Sequence, residues 1–450
     1  MDTQSDHMRR PPSVPGDRNA GSQLHNLLRG NRQTGKGGTF AVCSAHPAVI
    51  EASIRESLEA ESLLHIESTS SQVNQFGGYT GSTPRQFAQW IYSAAKETGL
   101  SPDRVLLGGD HLGPFPWRSE PSASAMEKAC GLVRACVAAG YQKIHLDASM
   151  GCADDRKPGI SERTIAARAA ILCQAAEDAY RGLPPESPQP VYVVGTEVPA
   201  PGGEAHDTEA LAVTKAEDVH RTLKTFQQAF EELGLQSAWE RVIALVVQPG
   251  VEFGSNAIFD YSRSKAASLS AALSAHPGMV FEAHSTDYQS SLALTQMVED
   301  HFAILKVGPW LTFAFREAVL ALGGIERELF RKPADRVSQV REALDAAMLR
   351  DPSHWRSYYE GDEEEVRRDR IFGFSDRCRY YWNQPAVQDE IARLLSNLKK
   401  RRIPPTLISQ YLPLEYEAIR NGSCDATPEK LVQYHIRRIL RVYADACTFS

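Results

Sequence analysis

Residues 105–147 read VLLGGDHLGPFPWRSEPSASAMEKACGLVRACVAAGYQKIHLD. The apolar run 105–107 ends, past two glycines, in Asp110 and His111. Residues 123–139 repeat apolar side chains at helical spacing, and Gly140 is well placed to end that helix with a left-handed residue. A second apolar run, 144–146, follows and meets Asp147. This is a strand–helix–strand unit, and strands joined by a helical crossover lie parallel.

The same unit recurs on both sides. Apolar runs at 40–45, 63–66, 191–194, 242–247, 279–283 and 302–305 lead to His46, Glu67, Glu197, Gln248, His284 and Lys306. Helical periodicity marks 48–60, 84–98, 161–180, 215–233, 262–276 and 288–298, with Thr83-Pro84 as a starting cap and Gly99 as a stop. Eight strand-plus-helix units predict an α/β chain folded as a (β/α)8 TIM barrel, in which strand C-termini converge on one face. The polar residues that end the runs are therefore expected to share one pocket.

Three regions are expected: a flexible N-terminal segment 1–38, the barrel 39–322 and a helical C-terminal extension 323–450. The first is polar and rich in Pro, Gly, Arg and Asn, with at most a short helix at 23–29. In the extension, helices are predicted at 334–349, 385–401, 404–416 and 428–446, and the acidic run 360–365 is read as a solvated face. The insertion 199–218 is longer than an ordinary connection between a strand and a helix, as lids and binding loops are.

Composition narrows the function classes. With 42% hydrophobic and 23% charged residues the chain is globular in type, and a net charge of −7 argues against non-specific nucleic-acid binding. No run of about 18 apolar residues predicts a membrane span, and no charged start with an apolar core predicts secretion. The 8 cysteines form no CxxC pair and read as free thiols, so a cytoplasmic location is expected. Neither GK[ST] nor GxGxxG occurs in the glycine-rich loop, so no nucleotide cofactor is expected.

Residues 108–113, GGDHLG, place a carboxylate and an imidazole side by side at a strand end, one able to move a proton and the other to bind a metal. His284 ends a later strand and pairs with His111 as a second ligand. Glu197 is the first choice for a third, ahead of Gln248, Glu252 and Glu67. Zn²⁺ or another first-row divalent ion suits such donors. The dense polar loop from Glu67 to Gly81 offers Gln72, Asn74, Gln75 and Tyr79 to the hydroxyls of a polyol. Asp147, Ser285, Asp287 and Lys306 are further substrate contacts at strand ends, and Arg377 and Arg379 offer guanidinium groups to an anion.

The stretches 66–81, 108–117 (GGDHLGPFPW), 196–204 (TEVPAPGGE), 282–288 (EAHSTDY) and 375–382 (SDRCRYYW) together resemble the GatZ/KbaZ family, over residues 40 to the C-terminus. Members are partner subunits of class II tagatose-bisphosphate aldolases, long labelled tagatose 6-phosphate kinases, and relatives include metal-dependent ketohexose 4-epimerases. More distantly, the chain is similar to catalytic class II aldolases. That resemblance makes Asp110 the proton-transferring residue, His111 and His284 metal ligands, and Glu197 with Glu204 an acidic pair. It departs at Gln248, which stands where those aldolases carry another metal histidine, and at Lys306-Val307-Gly308-Pro309-Trp310 after the last strand.

The function expected is C4 epimerisation of a ketohexose 6-phosphate, tagatose 6-phosphate to fructose 6-phosphate, by a retro-aldol and aldol route. Asp110, Glu197 and Glu67 are the catalytic candidates, and His111, His284, Glu197 and Gln248 the metal ligands. The alternative is a non-catalytic subunit that stabilises a class II tagatose-1,6-bisphosphate aldolase; a sugar kinase ranks last. Expected partners are a sugar phosphate, an aldolase subunit and further copies of the chain.

Overall fold

The computed structural model describes residues 19–155, 159–196, 211–331 and 336–448. Its centre is a closed parallel barrel of eight strands: Thr39–Val42, Leu64–Thr69, Val105–Leu112, Lys143–Leu146, Val191–Gly195, Val242–Val247, Val280–Ala283 and Ile304–Val307. Each pairs with its sequence neighbour, and the first closes on the eighth through Thr39↔Ile304 to Val42↔Val307. The fold is the (β/α)8 TIM barrel expected from the alternation. A small antiparallel hairpin, Glu252–Phe253 with Ile258–Phe259, follows the sixth strand.

Helix ends follow the local chemistry. Thr83 and Gln86 form a reciprocal capping box with Pro84 at the first helical position, and Gly99 ends that helix at φ 88°. The acidic run also has a structural role, because Asp362 caps the helix Glu363–Phe372 in a box with Glu365. The expected helix 404–416 is two helices, Pro405–Tyr411 and Pro413–Arg420. Pro413 has no N–H to continue the first and is well suited to start the second.

The N-terminal helix is longer than its polar composition suggested. Ala20–Thr34 is helical, capped by Asn19, and its Leu24 and Leu28 pack under the barrel against Leu106, Val193, Ile243, Val280 and Ile304. A narrow apolar stripe suffices because the barrel floor supplies the other half of the contact. The helix Pro309–Leu329 runs through the expected boundary at Leu322. The final helix, Pro428–Cys447, packs on the helices Pro47–Glu59, Ser291–Glu299 and Pro309–Leu329, and the Tyr443 ring lies 5.6 Å from Phe40 of the first strand. The end of the extension is thus part of the ring around the barrel.

At the third strand the register shifts between Gly109 and Leu112, and His111 takes φ 48°. Such a bulge re-aims side chains at a barrel rim. Its neighbours must be small: a Cβ on Gly109 would lie 2.4 Å from Leu112 Cδ1, and one on Gly113 would lie 1.6 Å from the Asp147 carbonyl oxygen. All 8 cysteines are free thiols. No helix among the described residues is long and apolar enough to cross a membrane.

Candidate active site

Strand alternation puts every second residue inside the barrel. Here that inner face carries His65 and Glu67, Lys143 and His145, and Glu282 and His284, three polar pairs each two residues apart. Lys143 Nζ lies 2.7 Å from Glu67 Oε1 and 2.6 Å from Glu282 Oε2, with all three side chains fully buried. His65 Nε2 is 2.8 Å from Glu67 Oε1. Burial alone would raise the Glu67 and Glu282 carboxyls, but the ammonium groups of Lys143 and Lys306 outweigh it and hold both well below the usual range.

Above this layer lies the reactive cluster. Lys306 pairs with Glu67 and lies 2.8 Å from Asp110 Oδ1. Asp110 is strongly acidic: burial opposes ionisation, yet His111 and Lys306 overcome it. The rings of His111, His145 and His284 form a triangle with centroids 4.9 to 5.2 Å apart. His111 Nδ1 is 2.8 Å from Asp147 Oδ2, which leaves Nε2 to face Asp110 Oδ2 at 3.7 Å. Burial lowers the His284 imidazole to about 4, so it is neutral at pH 7 and able to ligate a cation. For His111 burial acts the same way, but Asp110 and Asp147 raise it overall.

One donor atom each from Asp110, His145, Glu282 and His284 lie within 4.8 Å of one another. His145 Nε2 is buried and has no hydrogen-bond partner among the described residues. Nitrogen and carboxylate donors converging with one unsatisfied imidazole nitrogen fit a first-row divalent ion, with Asp147 behind His111 as an orienting partner.

A cavity of about 570 Å³ opens over the cluster. Of the residues expected at the site, Asp110, His111, His284, Ser285, Asp287, Lys306, Gln72, Asn74, Tyr79, Arg377 and Arg379 line it. Glu67 lies beneath the cavity floor, and Asp147 lies behind His111. Two expected residues face elsewhere. Gln75 donates to the Lys128 carbonyl at 2.8 Å, and the Gln248 amide oxygen accepts from the backbone N–H groups of Gly250 at 2.8 Å and Val251 at 3.1 Å. Both side chains are taken up by backbone groups, a pairing invisible in the sequence. Glu197 and Glu204 lie outside the described residues, as does most of the insertion 199–218. Lys306, expected to touch substrate, is already surrounded by Glu67, Asp110 and Glu282.

The residues missed by inspection of strand ends are Lys143, His145 and Glu282. Their signal was present: each sits two positions from another polar residue inside an apolar run. From the extension, the segment 375–382 does two things. Asp376 binds Arg316 at 2.6 Å and Cys378 and Trp382 are buried, while Arg377, Arg379 and Tyr380 line the cavity.

Known proteins agree with this architecture. Residues 24–448 match the family model described as D-tagatose-1,6-bisphosphate aldolase subunit GatZ/KbaZ-like. The chain is 48% identical over 411 residues to the D-tagatose-1,6-bisphosphate aldolase subunit GatZ of Klebsiella pneumoniae subsp. pneumoniae, covering 91% of this chain and 96% of the relative. The subunit of the same name from Salmonella newport is equally similar, at 48% identity and the same coverage. A crystal structure from Sinorhizobium meliloti 1021, described as a probable tagatose 6 phosphate kinase, superposes with a TM-score of 0.83 at 44% identity, covering 91% of this chain and all of the other. By the family model and by these relatives, the chain belongs to the GatZ/KbaZ-like family of D-tagatose-1,6-bisphosphate aldolase subunits.

Proposed function

We propose that the cavity binds a ketohexose 6-phosphate and epimerises it at C4, converting tagatose 6-phosphate to fructose 6-phosphate. The observation that carries this reading is an ionised, buried carboxylate, Asp110, set 2.8 Å from an ammonium and beside three imidazoles at the floor of a sugar-sized cavity. Asp110 takes the proton of the C4 hydroxyl, and the C3–C4 bond breaks to give an aldehyde and an enediolate. The electron pair of that bond is held on the enediolate oxygens. The aldehyde turns and rebonds on its other face, and Asp110 returns the proton to the new C4 oxygen. Lys306, next to Asp110, keeps it deprotonated between turnovers and offsets the charge that develops.

His145, Glu282 and His284, together with Asp110, would hold a divalent ion. Of the ligands expected from sequence, His111 stands beside them and Glu197 is retained, while Gln248 is taken by its own turn. Bound there, such an ion supplies polarisation of the substrate's carbonyl and hydroxyl oxygens. Gln72, Asn74, Tyr79, Ser285 and Asp287 offer paired donors and acceptors to the sugar hydroxyls. Glu204 remains an expected contact from the loop after the fifth strand.

The relatives' names support a second reading more directly: the chain acts as a subunit of a D-tagatose-1,6-bisphosphate aldolase, beside a separate class II aldolase chain. One experiment separates the two. The purified chain is given a divalent metal and tagatose 6-phosphate, and fructose 6-phosphate is followed by a coupled assay. Turnover lost on EDTA treatment and in Asp110→Asn supports epimerisation. No turnover alone, with stimulation of an added class II aldolase, supports the subunit role, and ATP consumption would overturn both.

A further inference from the structure

The cations around the cavity differ in their partners. At the floor, Glu67, Asp110 and Glu282 face the ammonium groups of Lys143 and Lys306, so every cation there already has carboxylate partners. In the part of the lining that the extension supplies, Arg377 and Arg379 have none: among the described residues neither guanidinium lies within 4.0 Å of a carboxylate. Arg377 is 4% exposed; its Nε donates to the His354 carbonyl at 2.5 Å, its Cζ lies 3.4 Å from the Tyr358 ring centroid, and its Nη1 is buried with no hydrogen-bond partner among the described residues. Arg379 donates to the Ser375 and Asp376 carbonyls and to the Tyr380 hydroxyl.

Two carboxylates feel the Arg379 charge, Asp376 and Asp287, but their closest partners are other groups. Asp376 binds Arg316 at 2.6 Å and Thr312 at 2.5 Å, and Asp287 Oδ1 accepts from the backbone of Gly308 at 3.0 Å and Trp310 at 2.8 Å. The positive field is felt by Tyr380, whose hydroxyl burial would raise but Arg379 and Arg377 bring below its usual value. A guanidinium cannot shed its proton, and burying one without an anion is costly. Its planar fork matches the oxygens of a phosphate or a carboxylate.

We propose that Arg377 and Arg379 form the subsite for the anionic terminus of the ligand, making the chain selective for ketoses that carry an oxyanion over neutral sugars. This rests on the reading of the cavity as a ketose site and adds direction to it: the anion seats on the extension, and the keto-diol end meets Asp110 and the histidines. The barrel supplies the chemistry, and the C-terminal extension selects the substrate.

The test is calorimetric titration of the full chain with inorganic phosphate, acetate, tagatose 6-phosphate and free tagatose. The wild type is expected to bind tagatose 6-phosphate at least about tenfold tighter than free tagatose, and to bind inorganic phosphate competitively with it. Arg377→Gln and Arg379→Gln are expected to erase that preference while leaving free tagatose unaffected, and Arg377→Lys to restore it in part. Acetate displacing the sugar phosphate better than inorganic phosphate would assign the subsite to a carboxylate. Equal affinity for the two sugars in the wild type, or a preference that survives both glutamine variants, overturns the proposal. Should Arg377→Gln fail to fold, Arg379→Gln and the phosphate titration of the wild type decide alone, since wild type that binds neither anion overturns it. Arginine-dependent phosphate binding in a chain that neither epimerises tagatose 6-phosphate nor stimulates an aldolase supports the anion subsite and removes only the function proposed above.

Discussion

Lys306 Nζ lies 2.8 Å from Asp110 Oδ1, and the same ammonium pairs with Glu67 and lies 3.6 Å from Glu282 Oε1. With His111, the lysine thus holds the proposed base ionised against its burial. Replacing it by methionine removes a charge that lowers the Asp110 carboxyl, so Asp110 would hold its proton to higher pH. Lys306→Met is expected to shift the acidic limb of the pH–rate profile upward and to lower turnover about 10²- to 10⁴-fold. A limb that stays in place would show that Asp110 is not the titrating base.

Lys143 tests the barrel interior separately from the chemistry. It bridges Glu67 and Glu282, with no exposed surface on any of the three side chains. Lys143→Met leaves those carboxylates under-compensated in a buried site, at an expected loss of about 3–5 kcal/mol by urea unfolding. A loss under about 1 kcal/mol would mean that Lys306 and His65 balance the layer without it.

Asp147 is expected to act through His111. Its Oδ2 is 2.8 Å from His111 Nδ1, while Oδ1 is held by the Ser149 backbone and hydroxyl. Asp147→Asn keeps the shape but not the charge, and is expected to weaken divalent-metal affinity about 10- to 100-fold with the circular dichroism spectrum unchanged. Metal content after dialysis against a graded chelator series reads this without any activity assay. Unchanged retention would remove His111 from the ligand set.

Asp287 gives a pH dependence of stability. Burial raises its carboxyl to about 6 from the ordinary 3.8, against the pull of the Trp310 and Gly308 N–H groups. The folded chain therefore binds this proton more tightly than the unfolded chain. That contribution is complete below pH 3.8 and is lost as pH rises through about 6. Asp287→Asn should flatten this slope, gaining on the wild type by up to about 3 kcal/mol between those limits. Parallel stability curves for the two proteins from pH 4 to 7 would contradict the assignment.

Much of the fold was legible because the signal was periodic. Apolar runs and helical stretches alternated eight times, and a parallel barrel is the arrangement that buries both faces of every such strand. Within the site, Asp110, His111 and His284 could be named from sequence because glycines or small residues left them at strand ends. His145 and Glu282 were hidden inside apolar runs, where a polar residue is easily taken as an interruption. Gln248 occupied a promising position, but its oxygen answers two N–H groups of its own turn.

The sequence alone determined the barrel, its direction and the face on which chemistry-bearing residues gather, since these follow from local periodicity and the fixed sense of the strand–helix crossover. Only the tertiary structure decided which charges meet: that Lys306 is enclosed by carboxylates while Arg377 and Arg379 have no carboxylate within 4.0 Å among the described residues. The reason is physical. Periodicity is a property of neighbouring residues, whereas the pairing of buried charges depends on distances between segments as far apart in the chain as Glu67 and Lys306, fixed only once the barrel closes.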